Sequence, residues 1–327
     1  MSNLVRRLVV ALFVAAITAA GARAQKAERV VFATDWLAEA EHGGFYQALA
    51  EGTYRKYGLD VTIRMGGPQV NGLQLLAAGQ IDVAMADALQ VLSAVEQRVP
   101  VVAIAATFQK NPTVIIAHPG VTRIEELRGK PIAVSAASNT TFWPWLKQRY
   151  GFSDDQKRPY AFSVQPFLVD PNLSQQGFAT SEPFSIEKAG VKPVVFLLAE
   201  LGYPPYSEVL AVTRDTLAKR ADVLQRFVRA SAEGWKSYLA DPAPGNALIK
   251  RENPQMSDEL LAYGHRKIVE HAIVAGADTA GSGLLTMTDM RWRQTVDFLR
   301  GAGLAKPNVD YASAFTLSIV RDVRVLP

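Results

Sequence analysis

Short apolar runs alternate with segments of helical period along the first two thirds of the chain. "RVVFAT" (29–34), "LDVTIR" (59–64), "IDVAMA" (81–86) and "VVAIAATF" (101–108) predict four strands. "TVIIAHPG" (113–120), "PIAVS" (131–135) and "EVLAVT" (208–213) predict three more. Between them lie helical patterns: about Gly44 to Tyr57, with Gly58 as C-cap, then "VNGLQLLAAG" closed by Gly79, "ALQVLSAVEQR" and "FWPWLKQRY". A long amphipathic region, "RDTLAKRADVLQRFVRASAEGWKSYLA", follows the last strand, and helices with polar connections fill the rest. Strands separated by helix-length segments indicate βα units around mainly parallel sheets, because a parallel connection needs a crossover.

The βα rhythm restarts between Pro112 and Pro119, which divides the chain. Residues 25–112 and 212–327 are expected to form one lobe and 113–211 the other, with "TVIIAHP" and "EVLAVTR" as the two crossings. In open α/β sheets, ligands sit beyond the carboxyl ends of strands. Three loops in that position carry recognition chemistry. In "TDWLAEAEHGGFYQAL", Trp36, Phe45 and Tyr46 offer ring faces, Asp35, Glu39 and Glu41 offer acceptors, and His42 precedes two glycines that admit close backbone approach. In "SAASNTT", Ser138, Asn139 and Thr140 stand at a helix start, suited to an oxygen-rich or anionic group. In "ATSEPF", Glu182 precedes Pro183 at a helix start, where its carboxylate can face a cleft between lobes. Asp87 occupies an N-cap position ahead of "ALQVLSAVEQR" and is a fourth candidate.

Composition changes the setting. Arg6 and Arg7, an apolar run over 8–20 and the small-x-small pattern Ala22-Arg23-Ala24 make residues 1–24 an expected secretory signal peptide. Removing its three arginines lowers the net charge from +4 to +1, which is no nucleic-acid footprint. The chain contains no cysteine, so disulfides, thiolate metal sites, cysteine nucleophiles and a lipidated N-terminal cysteine are all excluded. There is no G-x-S-x-G elbow, H-E-x-x-H pair or P-loop. His265 and His271 are six residues apart and do not share a helix face. Neither a catalytic residue, a metal site nor a cofactor is expected.

The stretches "DWLAEAEHGGFYQALAEGTYRKYGLDVTI", "LLAAGQIDVAMAD", "IEELRGKPIAVS" and "SEPFSIEKAG", in this order, resemble the periplasmic solute-binding proteins of bacterial ABC importers, in the nitrate, sulfonate, taurine and thiamine-precursor group. The resemblance covers most of residues 25–327 and implies an α/β, two-lobed, type II periplasmic binding protein fold. Two crossing strands, an interlobe ligand cleft and hinge closure belong to it. It further implies a periplasmic monomer without membrane anchor that delivers a small molecule to an inner-membrane permease and ATPase. Asp-Trp followed by His-x-Gly-aromatic looks most like the branch that binds aminopyrimidine precursors of thiamine, which carries over to Asp35, Trp36, His42, Tyr46 and more loosely Glu182. That branch has an enzymatic fungal relative, a pyrimidine synthase with a cysteine-rich motif that this chain lacks. "LAEAE" is more acidic than the branch pattern, and an oxyanion solute is the alternative ligand.

Overall fold

The strand patterns pair into two five-stranded mixed sheets in the computed structural model, which describes residues 27–67 and 70–327. The expected signal peptide lies outside the described residues. In chain order the strands are β1 (Glu28–Ala33), β2 (Leu59–Arg64), β3 (Val83–Ala86), β4 (Val101–Ala106), β5 (Thr113–Ala117), β6 (Ile132–Val134), β7 (Lys157–Pro159), β8 (Ser174–Phe178), β9 (Val194–Leu197) and β10 (Val209–Thr213). The first sheet has the order β2-β1-β3-β10-β4 and the second β7-β6-β8-β5-β9. Burial follows position. Every residue of β3 and β4 is buried, whereas in β2, at the edge, Leu59 and Val61 point inward and Asp60 and Thr62 outward.

Each sheet holds parallel strands and one antiparallel strand inserted among them. β10 runs antiparallel between β3 and β4, and β5 runs antiparallel between β8 and β9. The register of β10 sets Val209 opposite both Ala86 and Ala106. The residue before it, Glu208, is thereby held at the edge where β3 and β4 end. Phe315, from the C-terminal segment, pairs with Ala103 and covers part of the free edge of β4.

Helices α1 (Gly43–Ala50), α2 (Thr53–Lys56), α3 (Gly72–Ala77) and α4 (Ala88–Glu96) follow the first strands. The single helix expected from Gly44 to Tyr57 is broken by Gly52, whose left-handed backbone (φ +70°) separates α1 from α2. The second sheet carries α5 (Phe142–Tyr150), α6 (Gln165–Val169) and α7 (Glu182–Lys188). After β10 come α8 (Arg214–Lys219) and α9 (Ala221–Ala240), split at Arg220, whose guanidinium donates to Asp82 (2.6 Å) and to the Arg29 carbonyl (2.6 Å). The chain ends with α10 (Ala243–Glu252), α11 (Asp258–Glu270), α12 (Ala277–Ser282) and α13 (Asp289–Gly301). No described helix is long and apolar enough to cross a membrane.

Helix α1 is clamped onto the core by α9. Phe45 packs on Phe32 (ring centroids 4.7 Å) and edge-on to Trp235 (5.9 Å), while Tyr54 stacks on Phe227 (5.5 Å). The helices touch through glycines. A Cβ on Gly234 would lie 2.2 Å from the Gly44 carbonyl oxygen and 2.6 Å from the Ala48 Cβ. Since α1 leads directly from the Asp35 to His42 loop, this contact also fixes that loop's far end. Gly234→Ala is therefore expected to destabilise the fold by about 1–3 kcal/mol through overpacking, read as a lower urea midpoint with unchanged m-value.

Candidate functional site

The carboxyl ends of β1 and β3 and the start of β10 bring three acids to one edge of the first sheet. Asp35 follows β1, Asp87 follows β3, and Glu208 precedes β10, which runs the opposite way. Asp87 caps α4 as expected, accepting from the Leu89 N–H at 2.7 Å while Gln90 Oε1 accepts from the Asp87 N–H at 3.1 Å. Asp35 Oδ1 lies 3.1 Å from His42 Nε2. His42 is 1% exposed, and its Nδ1 has no partner among the described residues. The Glu208 carboxyl faces Asp35 within hydrogen-bonding reach.

Burial lifts several of these acids out of the usual carboxylate range. It pushes Asp87 up to about 7, against the lowering effect of the Leu89 N–H and with a further rise from Asp35. Glu208 is raised well above its ordinary value by burial first, then by Asp35, Asp87 and Glu39. Glu39 is raised in the same way by burial, Glu41, Glu182 and Asp35. Glu41 is raised by burial, partly offset by the hydrogen bond that the Thr180 hydroxyl donates to it. Among the described residues no lysine or arginine pairs with Asp35, Glu39, Glu41, Asp87 or Glu208.

The second sheet supplies the opposite wall. Trp36 meets Phe162, which follows β7, at 5.0 Å between ring centroids and 38° between planes. Phe162 also contacts Tyr160 (5.3 Å), whose hydroxyl donates to Glu182 at 2.8 Å. Phe162 is 53% exposed and holds a left-handed backbone (φ +55°), unusual for an aromatic residue. Thr180, between β8 and α7, reaches Glu41 across the interface, and Phe184 of α7 lies 5.3 Å from Tyr263 of α11.

The sequence-predicted residues thus separate into groups. Asp35, Trp36, His42 and Asp87 converge, and Glu182 faces them from the second sheet. Glu182 differs from expectation in that both its oxygens are engaged, by Tyr160, the Phe178 N–H (2.8 Å) and Ser181 Oγ (2.7 Å), so it braces β8 against α7. Tyr46 also differs. It is 1% exposed within the hydrophobic core under α1, where Phe45 is fully buried, because the helix turns its aromatic face toward α9 and α10. At the "SAASNTT" loop, Ser138 Oγ donates to the Ser135 carbonyl (2.6 Å), Thr140 Oγ1 to that of Ala137 (3.2 Å) and Asn139 Nδ2 to that of Ala136 (3.0 Å). These side chains close their own 3-10 turn and leave α5 without a side-chain cap. Asn139 opens instead onto a surface hollow of about 530 Å³ whose Lys147 and Lys157 are paired to Asp154.

Glu208, Phe162 and Tyr160 are absent from the sequence-based set. Glu208 belongs to a strand read only as a crossing, and the antiparallel insertion that positions it has no local sequence signature. "YAF" (160–162) follows a three-residue strand without apolar alternation, although its paired aromatics in a polar stretch were a signal.

Two facing mixed sheets, each with one inserted antiparallel strand and with polar strand ends meeting between them, define the periplasmic binding protein fold. The aliphatic sulphonate binding protein SsuA from Escherichia coli shares it, with a TM-score of 0.65 at 14% identity over 88% of this chain and 91% of that one. Within this class the chain belongs to the NMT1/THI5-like family, which it matches over residues 39–244. It is 27% identical to the riboflavin-binding protein RibY of Chloroflexus aurantiacus over 90% of this chain and 86% of that protein. It is 23% identical to the 4-amino-5-hydroxymethyl-2-methylpyrimidine phosphate synthase of Aspergillus parasiticus, over 66% and 68% of the respective chains.

The raised acids have a measurable signature. Between the ordinary carboxylate range near 4 and the folded value of about 7, folded Asp87 holds a proton that the unfolded chain has released, so stability falls as pH rises through this window. Ion-paired acids such as Asp154, held low by Lys147 and Lys157, titrate below it. The melting temperature of the ligand-free protein is expected to drop from pH 5 to pH 8. Asp87→Asn, which keeps the cap, is expected to flatten the profile. A melting temperature that climbs over the same range would mean that these acids are ionised in the fold.

Proposed function

We propose that this chain is the periplasmic substrate-binding component of an ABC importer, and that it closes around a flat, amino-bearing heteroaromatic solute. The observation that carries this reading is the pairing of an aromatic wall, Trp36 with Phe162, with acceptors from Asp35, Asp87 and Glu208 that no lysine or arginine among the described residues satisfies. A planar ligand displaces one ring from the face of the other, and its N–H groups meet the acids. The relative named for riboflavin, a flat heteroaromatic with a ring N–H, and the relative named for an aminopyrimidine product point to the same ligand chemistry. The monomer would pass its ligand to an inner-membrane permease and ATPase, and the contacts Thr180 to Glu41 and Trp36 to Phe162 would re-form at each closure.

An oxyanion solute, as the name of the sulphonate-binding neighbour suggests, fits less well. Such a ligand wants donors and cations, whereas the acids here repel it. Turnover related to the synthase is disfavoured by the complete lack of cysteine.

A thermal-shift screen of refolded protein, free of carried-over ligand, tests the reading with riboflavin, 4-amino-5-hydroxymethyl-2-methylpyrimidine, taurine and nitrate. At a hundredfold excess over Kd a true ligand adds about 2.7 kcal/mol, a rise of a few degrees. The heteroaromatics are expected to give this rise and Trp36→Ala to abolish it. A shift confined to taurine or nitrate would refute the heteroaromatic assignment.

A further inference from the structure

The acids of the cleft are not equivalent. Glu182 is filled by three protein donors, Glu41 accepts from Thr180, Asp87 caps α4, and Asp35 is held by His42. Glu208 is 5% exposed; its Oε2 accepts from no N–H or O–H donor among the described residues, its Oε1 has only Ser207 Oγ at 3.5 Å, and the Asp35 carboxyl beside it is itself an acceptor when ionised. Thr107, bound through its N–H to the Glu208 carbonyl at 2.8 Å, is fully buried, and its hydroxyl also lacks a partner. Both side chains thus carry an unpartnered polar atom where β10 lies between the ends of β3 and β4. A buried carboxyl with a vacant oxygen, on a residue at φ +54°, destabilises the free protein. Retaining such a group is expected where something outside the chain fills the vacancy.

We infer that Glu208 is the specificity-determining acceptor of the cleft, and that with Asp35 and Asp87 it selects a ligand edge that is cationic or carries paired N–H donors. This rests on the solute-binding reading and adds to it the charge of the recognised edge. Carboxyls at the ends of three different strands share one edge, and the charges acting most strongly on Glu208 are those of Asp35, Asp87 and Glu39, all acidic. An amidine-like edge supplies parallel donors that two carboxylates can share. Among the described residues, the unpartnered groups that could donate to an anionic or purely acceptor edge are the Thr107 hydroxyl and, when protonated, His42 Nδ1, against three carboxyls.

Benzamidine, a flat aromatic amidinium, is the probe, with benzoate as its anionic counterpart and riboflavin as a neutral flat ligand. Calorimetric titration is expected to show binding of benzamidine and none of benzoate. Glu208→Gln should weaken benzamidine about 10- to 100-fold, the loss of a charge-assisted hydrogen bond. Without ligand, Glu208→Gln should melt at the wild-type temperature or above, because the vacant acid is gone. A structural role for Glu208 would lower that temperature instead and overturn the inference. Asp87→Asn, which retains the helix cap, should likewise weaken benzamidine, and benzamidine binding unchanged in both variants would also overturn it. If riboflavin binds wild type and Glu208→Gln alike while benzamidine is ignored, the solute-binding reading stands and the acceptor assignment fails. If no flat aromatic binds wild type, both fall together.

Discussion

The insertion of β10 between β3 and β4 is the constraint on which the rest of the first sheet, and much of the cleft, depends. Its antiparallel pairing satisfies the backbone groups of two strands that are buried on every side, where an unpaired N–H or carbonyl would be costly. The same register carries the chain back from the second sheet and delivers it through α8 into α9, which holds α1 through Gly44 and Gly234. The pairing that closes the sheet thus also sets Glu208 beside Asp87. A shift of one residue would turn alternate side chains of β10 to the opposite face and remove the acid from the edge.

Much of the architecture was legible from the pattern of residues. Period-two and fully apolar runs located β1 to β6 and β10. Asp87 read as an N-cap because its geometry is local, as the capping box with Gln90 shows. What failed to read was non-local or weakly patterned. Gly52 broke a helix that periodicity alone would continue, and β7 has three residues, none of them bearing a core side chain.

The same division runs through the candidate site. Asp35, Trp36 and His42 sit within eight residues of one another, so composition alone exposed them. Glu208 is placed by strand order and Phe162 by an unusual backbone angle, and of the two only Phe162, paired with Tyr160, left a local signal. Tyr46 shows the converse. Its motif was conspicuous, yet the tight approach of α1 to α9 and α10 leaves that face of the helix to the core. At the "SAASNTT" loop, short polar side chains serve their own turn first, because a carbonyl three residues back is always within reach.

Trp36 has one further property. Of the five tryptophans, Trp143, Trp145, Trp235 and Trp292 are at most 6% exposed and locked in the two cores, whereas Trp36 is half-buried and touches the other sheet through Phe162. Four indoles therefore form a constant background in the protein's intrinsic emission. A change of polarity around Trp36 is read against that background at a single ring, so the molecule carries its own optical reporter where the two sheets meet.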